Sequence, residues 1–84
     1  MQRVWNQEII FVSLETGRVT VLQDTAAAVT YFSHYWKSAE TPEFFAAARA
    51  CYAVLDGYGD PENARIAVLA ALKSVGITPG PAGQ

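Results

Sequence analysis

The fold is decided by the stretch Ile9-Ile10-Phe11-Val12-Ser13-Leu14-Glu15-Thr16-Gly17-Arg18-Val19-Thr20-Val21-Leu22. β-Branched and aromatic residues fill both ends of it, which is typical of strands. We predict one strand over residues 9–14 and a second over residues 18–22. Gly17 can supply the positive φ of a tight connection, so the two strands should form a hairpin. Val12 and Leu14 share one face of it, and Val19 and Val21 likewise share a face.

A helix is expected directly after the hairpin. A two-stranded hairpin is marginally stable in water, so it must lie on other elements. Asp24 or Thr25 can cap a helix, because either side chain accepts from the free N–H groups of a first turn. The helix should run from about Thr25 to Lys37. Its apolar face, at helical spacing, is predicted to comprise Ala28, Val29, Phe32, Tyr35 and Trp36.

Two further helices are marked by their ends. Thr41-Pro42-Glu43 and Asp60-Pro61-Glu62 each combine a capping residue, a proline and an acid, the usual beginning of a helix. Gly57 and Gly76 can end these helices in the left-handed conformation, and Ile77 can fold back onto the last turn. The second apolar face is predicted to comprise Phe44, Phe45, Ala48, Cys51, Tyr52 and Leu55. The third should comprise Ala64, Val68, Ala71, Leu72 and Val75.

The predicted architecture is α+β, an N-terminal β-hairpin packed on three α-helices in the order β-β-α-α-α. Residues 1–77 should form one domain, and residues 78–84, which lack an apolar pattern, should form a flexible tail. The 84 residues are 51% hydrophobic and 17% charged, with a net charge of −2. This composition excludes global disorder and a multidomain enzyme.

The numbers of cysteine and histidine residues argue against disulfide bonds and a zinc site. One cysteine cannot form a disulfide framework, and one cysteine with one histidine is too few for a self-contained zinc site. A lone thiol fits a reducing compartment, and the longest stretch with few charges, residues 66–72, is far too short to span a bilayer. We therefore expect a cytoplasmic protein without a signal peptide, membrane contact, metal or cofactor.

No catalytic constellation is present in the sequence. Cys51 lies on the predicted apolar face and is best interpreted as a core thiol. His34 should point away from its helix's apolar face, so the two do not form a nucleophile and base pair. The acidic pairs lie at helix starts, where capping explains them. We expect a protein that is not an enzyme.

Small residues cover the backs of the second and third helices, where surface helices usually carry Lys and Glu. These residues are Ala46, Ala50, Ala53, Ile66 and Ala70. Two interpretations stay open: the second helix is central with neighbours on two sides, or the surface binds another protein, including a second copy. Our first hypothesis is a domain that acts through protein contacts, including weak homodimerisation.

A small-molecule pocket between hairpin and helices is the alternative. Trp36, Tyr35 and Tyr52 would form its aromatic walls, and Arg65 would anchor an anion. Arg65 also lies three residues after Glu62, and an ion pair along the helix is the simpler explanation, which we favour.

Nucleic-acid binding is a third, weaker hypothesis. It would use Arg3 and Arg18, with the least buried rings, predicted to be Tyr31 and Tyr58, available for stacking. The basic residues are scattered and the net charge is −2, so phosphate neutralisation would be weak.

The sequence also resembles domain-of-unknown-function family 982, over about Trp5 to Ile77. The matching residues are Trp36, Ala48, Cys51, Leu55-x-Gly57, Glu62-x-Ala64-Arg65, Ala71 and Gly76-Ile77. The family consists of short proteins, mainly from plant-associated and nitrogen-fixing soil bacteria. The resemblance implies the fold and a bacterial cytoplasmic setting, but no reaction, ligand or cofactor.

The sequence departs from the family pattern at three positions. Lys37 stands where proline is common, Val68 where phenylalanine is common, and Asp56 where glutamate or another polar residue is usual. None of the three touches a known active site.

Overall fold

The hairpin and the three helices form in the predicted order, β-β-α-α-α, so the α+β prediction is confirmed. The structure is a computed structural model and describes residues 4–13 and 17–80. Its elements are β1 (Val4–Val12), β2 (Val19–Asp24), α1 (Thr25–His34), α2 (Pro42–Leu55) and α3 (Pro61–Ser74). Compared with the predictions, β1 begins earlier, β2 continues to Asp24, and α1 ends at His34 instead of Lys37.

The two strands pair antiparallel, with Ile9 opposite Leu22 and Phe11 opposite Thr20. Gly17 has a φ of +70°, as expected for the connection. The register is interrupted before Ile9 by a bulge, which the sequence did not predict. Ile9, Phe11 and Leu22 are buried, so this face of the sheet lies on the helices. Leu14 lies outside the described residues.

The helices lie on the inner side of the sheet, with α1 and α3 against the strands and α2 against these two helices. α1 packs against β2, α3 packs against β1, and α2 packs against both α3 and α1. The hydroxyl groups of Thr41 and Ser74 share a hydrogen bond of 2.7 Å, which joins the start of α2 to the end of α3. The two helices are therefore antiparallel.

The predicted helix starts are confirmed. Asp24 accepts a hydrogen bond from the Ala27 N–H at 2.8 Å, and Thr41 accepts one from the Phe44 N–H at 3.2 Å. Asp60 accepts from the N–H of Glu62 at 3.0 Å. Each side chain satisfies a first-turn donor that has no partner inside its helix.

The predicted ends of α2 and α3 are confirmed as well. Gly57 and Gly76 have φ values of +98° and +85°. The N–H of Tyr58 donates to the carbonyl of Ala53, five residues back, at 3.0 Å. Ile77 makes the equivalent bond at the end of α3, and its side chain is buried. These are glycine C-caps, in which the reversing chain satisfies the last carbonyl groups.

The predicted apolar face of α2 includes the buried Cys51 but is otherwise rotated about the helix axis from the observed one. The buried residues are Ala47, Cys51 and Val54, whereas Phe45 and Tyr52 are about half exposed. α2 is flanked by two helices, and small side chains allow the closest approach. The bulky rings of Phe45 and Tyr52 therefore lie at the margins of the contacts that α2 makes with α1 and α3.

In α1, Ala28 is buried as predicted, but two tyrosines depart from the predicted face. Tyr31, expected to be exposed, is only 4% exposed and packs edge-on against Phe11 with ring centroids 5.2 Å apart. Tyr35, expected on the apolar face, is 51% exposed. Thr25 is also buried. Its hydroxyl accepts a hydrogen bond from the indole N–H of Trp5 at 3.1 Å, so both buried polar groups have a partner.

The chain after α3 lies along β1. The N–H of Gly80 donates to the carbonyl of Ile10, so residues 78–80, predicted to belong to the tail, contact the sheet. Residues 81–84, the rest of the predicted tail, lie outside the described residues.

Candidate functional site

The outward face of the hairpin carries a group of apolar side chains. Val12 lies opposite Val19, and Ile10 lies opposite Val21. We call these four residues the hairpin patch. Val12 is 55% exposed, Val19 68% and Val21 42%, while Ile10 is half-buried. Two cross-strand pairs of β-branched residues therefore face away from the core.

This arrangement departs from the usual pattern of an antiparallel sheet. A sheet with one face on a core and the other in water normally alternates apolar inward and polar outward residues. Here the residues of the hairpin patch are as apolar as the buried residues between them. An exposed apolar group of this kind is typical of a contact surface. The unbroken apolar run from Ile9 to Val12 indicates that both faces of β1 are apolar, but we predicted a contact surface only on the helices.

The two outer edges of the hairpin differ. The N–H of Gly80 donates to the carbonyl of Ile10 on the outer edge of β1. On the other strand, the carbonyl of Arg18 points toward β1, since it accepts a hydrogen bond from Ser13 at 2.9 Å. Backbone groups alternate in direction along a strand, so those of Val19, Val21 and Gln23 point outward. Within residues 4–13 and 17–80, no strand pairs with this edge of β2.

An open groove runs beside this edge of β2, between the strand and α1. Its volume is about 410 Å³, and its lining includes Thr20 and Val21 from β2 and Tyr31 and Tyr35 from α1. The backbone of β2 is therefore accessible from the side. Arg18, which the nucleic-acid hypothesis used, is exposed at the beginning of this groove. Arg3 lies outside the described residues.

The four residues of the predicted ligand pocket do not come together. Tyr35 lines the groove beside β2, and Tyr52 lines a second groove of about 290 Å³ between α1 and α2. Arg65 lines a third groove of about 320 Å³ between β1, α3 and residues 78–80. Trp36 packs its ring on Phe44, with centroids 5.0 Å apart. The structure thus distributes these side chains instead of forming one aromatic pocket around a cation.

Arg65 has a partner on its own helix. Its Nε and Nη2 atoms donate to the two carboxylate oxygens of Glu62 at 3.0 and 2.6 Å. The hydrogen bond from Arg65 lowers the pKa of Glu62, and the same bond raises the pKa of Arg65. The ion pair that the sequence offered as the simpler explanation is therefore present.

The residues of the predicted self-association surface differ in their surroundings. Ala50 packs against the core cluster, and Ala46 and Ala53 are half-buried. Ile66 and Ala70 are exposed on α3. Because α2 has α1 on one side and α3 on another, its small residues serve at least partly to admit these neighbours.

Cys51 and His34 lie in contrasting environments. Cys51 is fully buried, and burial raises the pKa of its thiol to about 11. His34 is exposed in the last turn of α1. A thiol of this kind forms little of the reactive thiolate at neutral pH. Cys51 is thus a core residue, as the sequence predicted.

The described part of the chain has neither a metal-ligand cluster nor a membrane-spanning helix. Residues 4–13 and 17–80 bring together no group of three His, Cys, Asp or Glu side chains that could hold a metal ion. None of the helices in these ranges is long and apolar enough to cross a bilayer.

These features define a small α+β domain whose most distinctive surface is the uncovered side of its hairpin. The chain belongs to the family described as "Protein of unknown function (DUF982)", whose model matches residues 8–79, so the resemblance found in the sequence is confirmed. No curated protein and no solved structure shows significant similarity to the chain.

Proposed function

We propose that this chain is a non-enzymatic interaction domain that self-associates through the uncovered side of its hairpin. The observation that carries the proposal is the hairpin patch, in which Val12 and Val19 form an exposed apolar pair next to the accessible edge of β2. The location differs from the one expected from the sequence, because the small residues of α2 are partly covered by neighbouring helices.

The expected association is weak. The exposed fractions of Val19 and Val21, 68% and 42%, together equal about one fully exposed valine. Burial of that surface contributes about 1.5–3 kcal/mol per chain. Association costs about 4–15 kcal/mol in lost freedom of motion. Side-chain burial on β2 alone is therefore insufficient, and further contacts must contribute. A dimer in the micromolar to millimolar range, dependent on concentration, is the expected behaviour.

Sedimentation equilibrium over a wide concentration range tests the proposal. The test compares the natural chain with Val19→Glu and with the matched control Ile66→Glu, since both positions are more than half exposed and on different surfaces. We expect the natural chain and Ile66→Glu to associate alike and Val19→Glu to remain monomeric. Thermal unfolding should show that both variants are folded.

Two outcomes would overturn the proposal. The first is a natural chain that stays monomeric at every concentration. The second is association that Ile66→Glu abolishes and Val19→Glu leaves unchanged, which would place the contact on the α2 and α3 surface predicted from the sequence.

The setting we propose is the bacterial cytoplasm. It is supported by the buried free thiol of Cys51, which suits a reducing compartment, and by the family resemblance. The raised pKa of Cys51 supports a non-enzymatic role, because it removes the chain's one thiol from nucleophilic chemistry. The separation of Arg65 from Tyr35 and Tyr52 favours protein contacts over the small-molecule alternative.

A further inference from the structure

We propose that two copies of this chain pair their β2 strands edge to edge, antiparallel, about a two-fold axis at Val21. The result is a four-stranded sheet in the order β1-β2-β2-β1. This inference rests on the proposed self-association and specifies how it occurs. It supplies the backbone contacts that burial of the valines alone lacks.

The free edge of β2 has the chemistry that such pairing needs. Among residues 4–13 and 17–80, no backbone group pairs with the outward N–H and C=O groups of Val19, Val21 and Gln23. Residues 19–23 include no proline and no charged residue. Proteins usually block a free edge with such residues or cover it. In the described part of the chain, Gly80 bonds to the far edge of β1, and no strand pairs with the outer edge of β2. The groove of about 410 Å³ between β2 and α1 leaves room beside the strand.

The charges at the two ends of β2 determine the register. With the axis at Val21, Arg18 of each copy lies opposite Asp24 of the other, so two pairs of opposite charge form. An axis at Thr20 places Arg18 opposite an apolar Leu22. An axis at Leu22 places Asp24 opposite Thr20 and leaves Arg18 beyond the strand. Of these three axes, the one at Val21 alone places each Arg18 opposite an Asp24.

The same register also provides hydrogen-bond partners for the outward backbone groups of β2. Val21 then lies opposite its own equivalent as a hydrogen-bonded pair, and Val19 lies opposite Gln23 of the second copy. Every outward backbone group between residues 19 and 23 therefore gains a partner. The two hairpin patches become continuous across the new sheet, and Val21 of each chain contacts the other.

Disulfide trapping tests the register directly. Val21→Cys places two thiols at a Cα separation of about 5.5 Å, inside the range that a disulfide spans. The matched control is Val12→Cys, on the same outward face with similar exposure. The two copies of residue 12 lie three strand spacings apart across the sheet, about 14 Å, and four residues apart along it, about 13 Å, so a disulfide cannot bridge them. The buried Cys51, with a pKa of about 11, contributes little background.

We expect mild oxidation to cross-link Val21→Cys into a dimer at least tenfold faster than Val12→Cys. Equal rates, or faster cross-linking of Val12→Cys, would overturn the edge-to-edge arrangement, because packing of the two outward faces brings Val12 near the axis as well.

A charge reversal provides a second readout. Arg18→Glu should weaken the dimer about tenfold, since it turns two weak attractions into repulsions. Adding Asp24→Asn should restore most of the loss, because asparagine removes the repulsion and still caps α1. Failure of the second change to restore association would overturn the register.

The failures of the two proposals are distinguishable. A natural chain that sediments as a monomer at every concentration refutes self-association itself. A chain that dimerises, but shows neither the preference for Val21→Cys nor the restoration by Asp24→Asn, refutes only the β2 pairing.

Discussion

Replacing Gly59 by alanine should destabilise the domain more than replacing Gly57, although only Gly57 has a positive φ. A Cβ atom at Gly59 would lie 2.7 Å from the backbone N of Val54 and 2.8 Å from both the carbonyl carbon and the Cβ of Ala53. A Cβ at Gly57 meets nothing within 4 Å. The two glycines, two residues apart in one turn, are therefore needed for different reasons.

The cost at Gly59 follows from these distances. Carbon atoms in contact prefer a separation of about 3.5–4.0 Å, so the turn would have to move by about 1 Å. The N–H groups of Tyr58 and Gly59 both donate to the carbonyl of Ala53, at 3.0 and 2.9 Å, and would move with it. Overpacking costs about 1–3 kcal/mol, and each weakened hydrogen bond up to about 1 kcal/mol. We expect a total of about 2–4 kcal/mol, against about 1–2 kcal/mol for the left-handed strain of Gly57→Ala.

Urea unfolding followed by tryptophan fluorescence measures both losses. Asparagine tolerates the left-handed conformation, so Gly57→Asn should lose less stability than Gly57→Ala. Gly59→Asn should be no better than Gly59→Ala, because its Cβ meets the same backbone atoms. If Gly59→Ala loses no more stability than Gly57→Ala, or if asparagine restores stability at position 59, the close-contact argument is refuted.

Two more predictions concern polar contacts. Thr25→Ala should lower the free energy of unfolding by about 1–3 kcal/mol, because the buried indole N–H of Trp5 loses its acceptor, whereas Thr25→Ser should keep most of the stability in the same urea titration. For Glu62, whose pKa the Arg65 hydrogen bond lowers in the folded chain, the contribution to stability is present above the carboxyl's ordinary pKa and is lost as the pH falls through the lowered value. The stability difference between the natural chain and Glu62→Gln, measured by urea titration from neutral pH downward, should therefore shrink in acid; a difference that stays constant or grows would contradict this sign.

The starts of all three helices and the ends of α2 and α3 could be predicted from the sequence because local chemistry determines them. Asp24, Thr41 and Asp60 cap their helices through side chains that reach only two or three residues along the chain. Gly76 and Ile77 reverse the chain through hydrogen bonds to the last turn of α3. Such contacts depend little on the rest of the fold, so the sequence pattern was sufficient.

The buried faces could not be predicted in the same way, because they depend on which neighbour approaches most closely. In α2, Ala47 and Cys51 are fully buried while Phe45 is about half exposed, the reverse of what hydrophobicity alone suggests. In α1, Tyr31 is buried because it lies against Phe11, a residue of another element. The Trp5–Thr25 hydrogen bond likewise joins residues that only the bulged hairpin brings together.

The candidate surface also follows from connectivity. The glycine C-cap at Gly76 and the buried Ile77 direct the chain back toward the sheet, and Gly80 then reaches the edge of β1. At β2 the chain instead passes from Asp24 directly into α1, which lies against the inner side of the strand. No described segment is left to reach the outer edge of β2. The same hairpin therefore has one edge covered by its own chain and one that a second chain can pair with, and the opposite charges of Arg18 and Asp24 at its ends favour a copy running in the opposite direction.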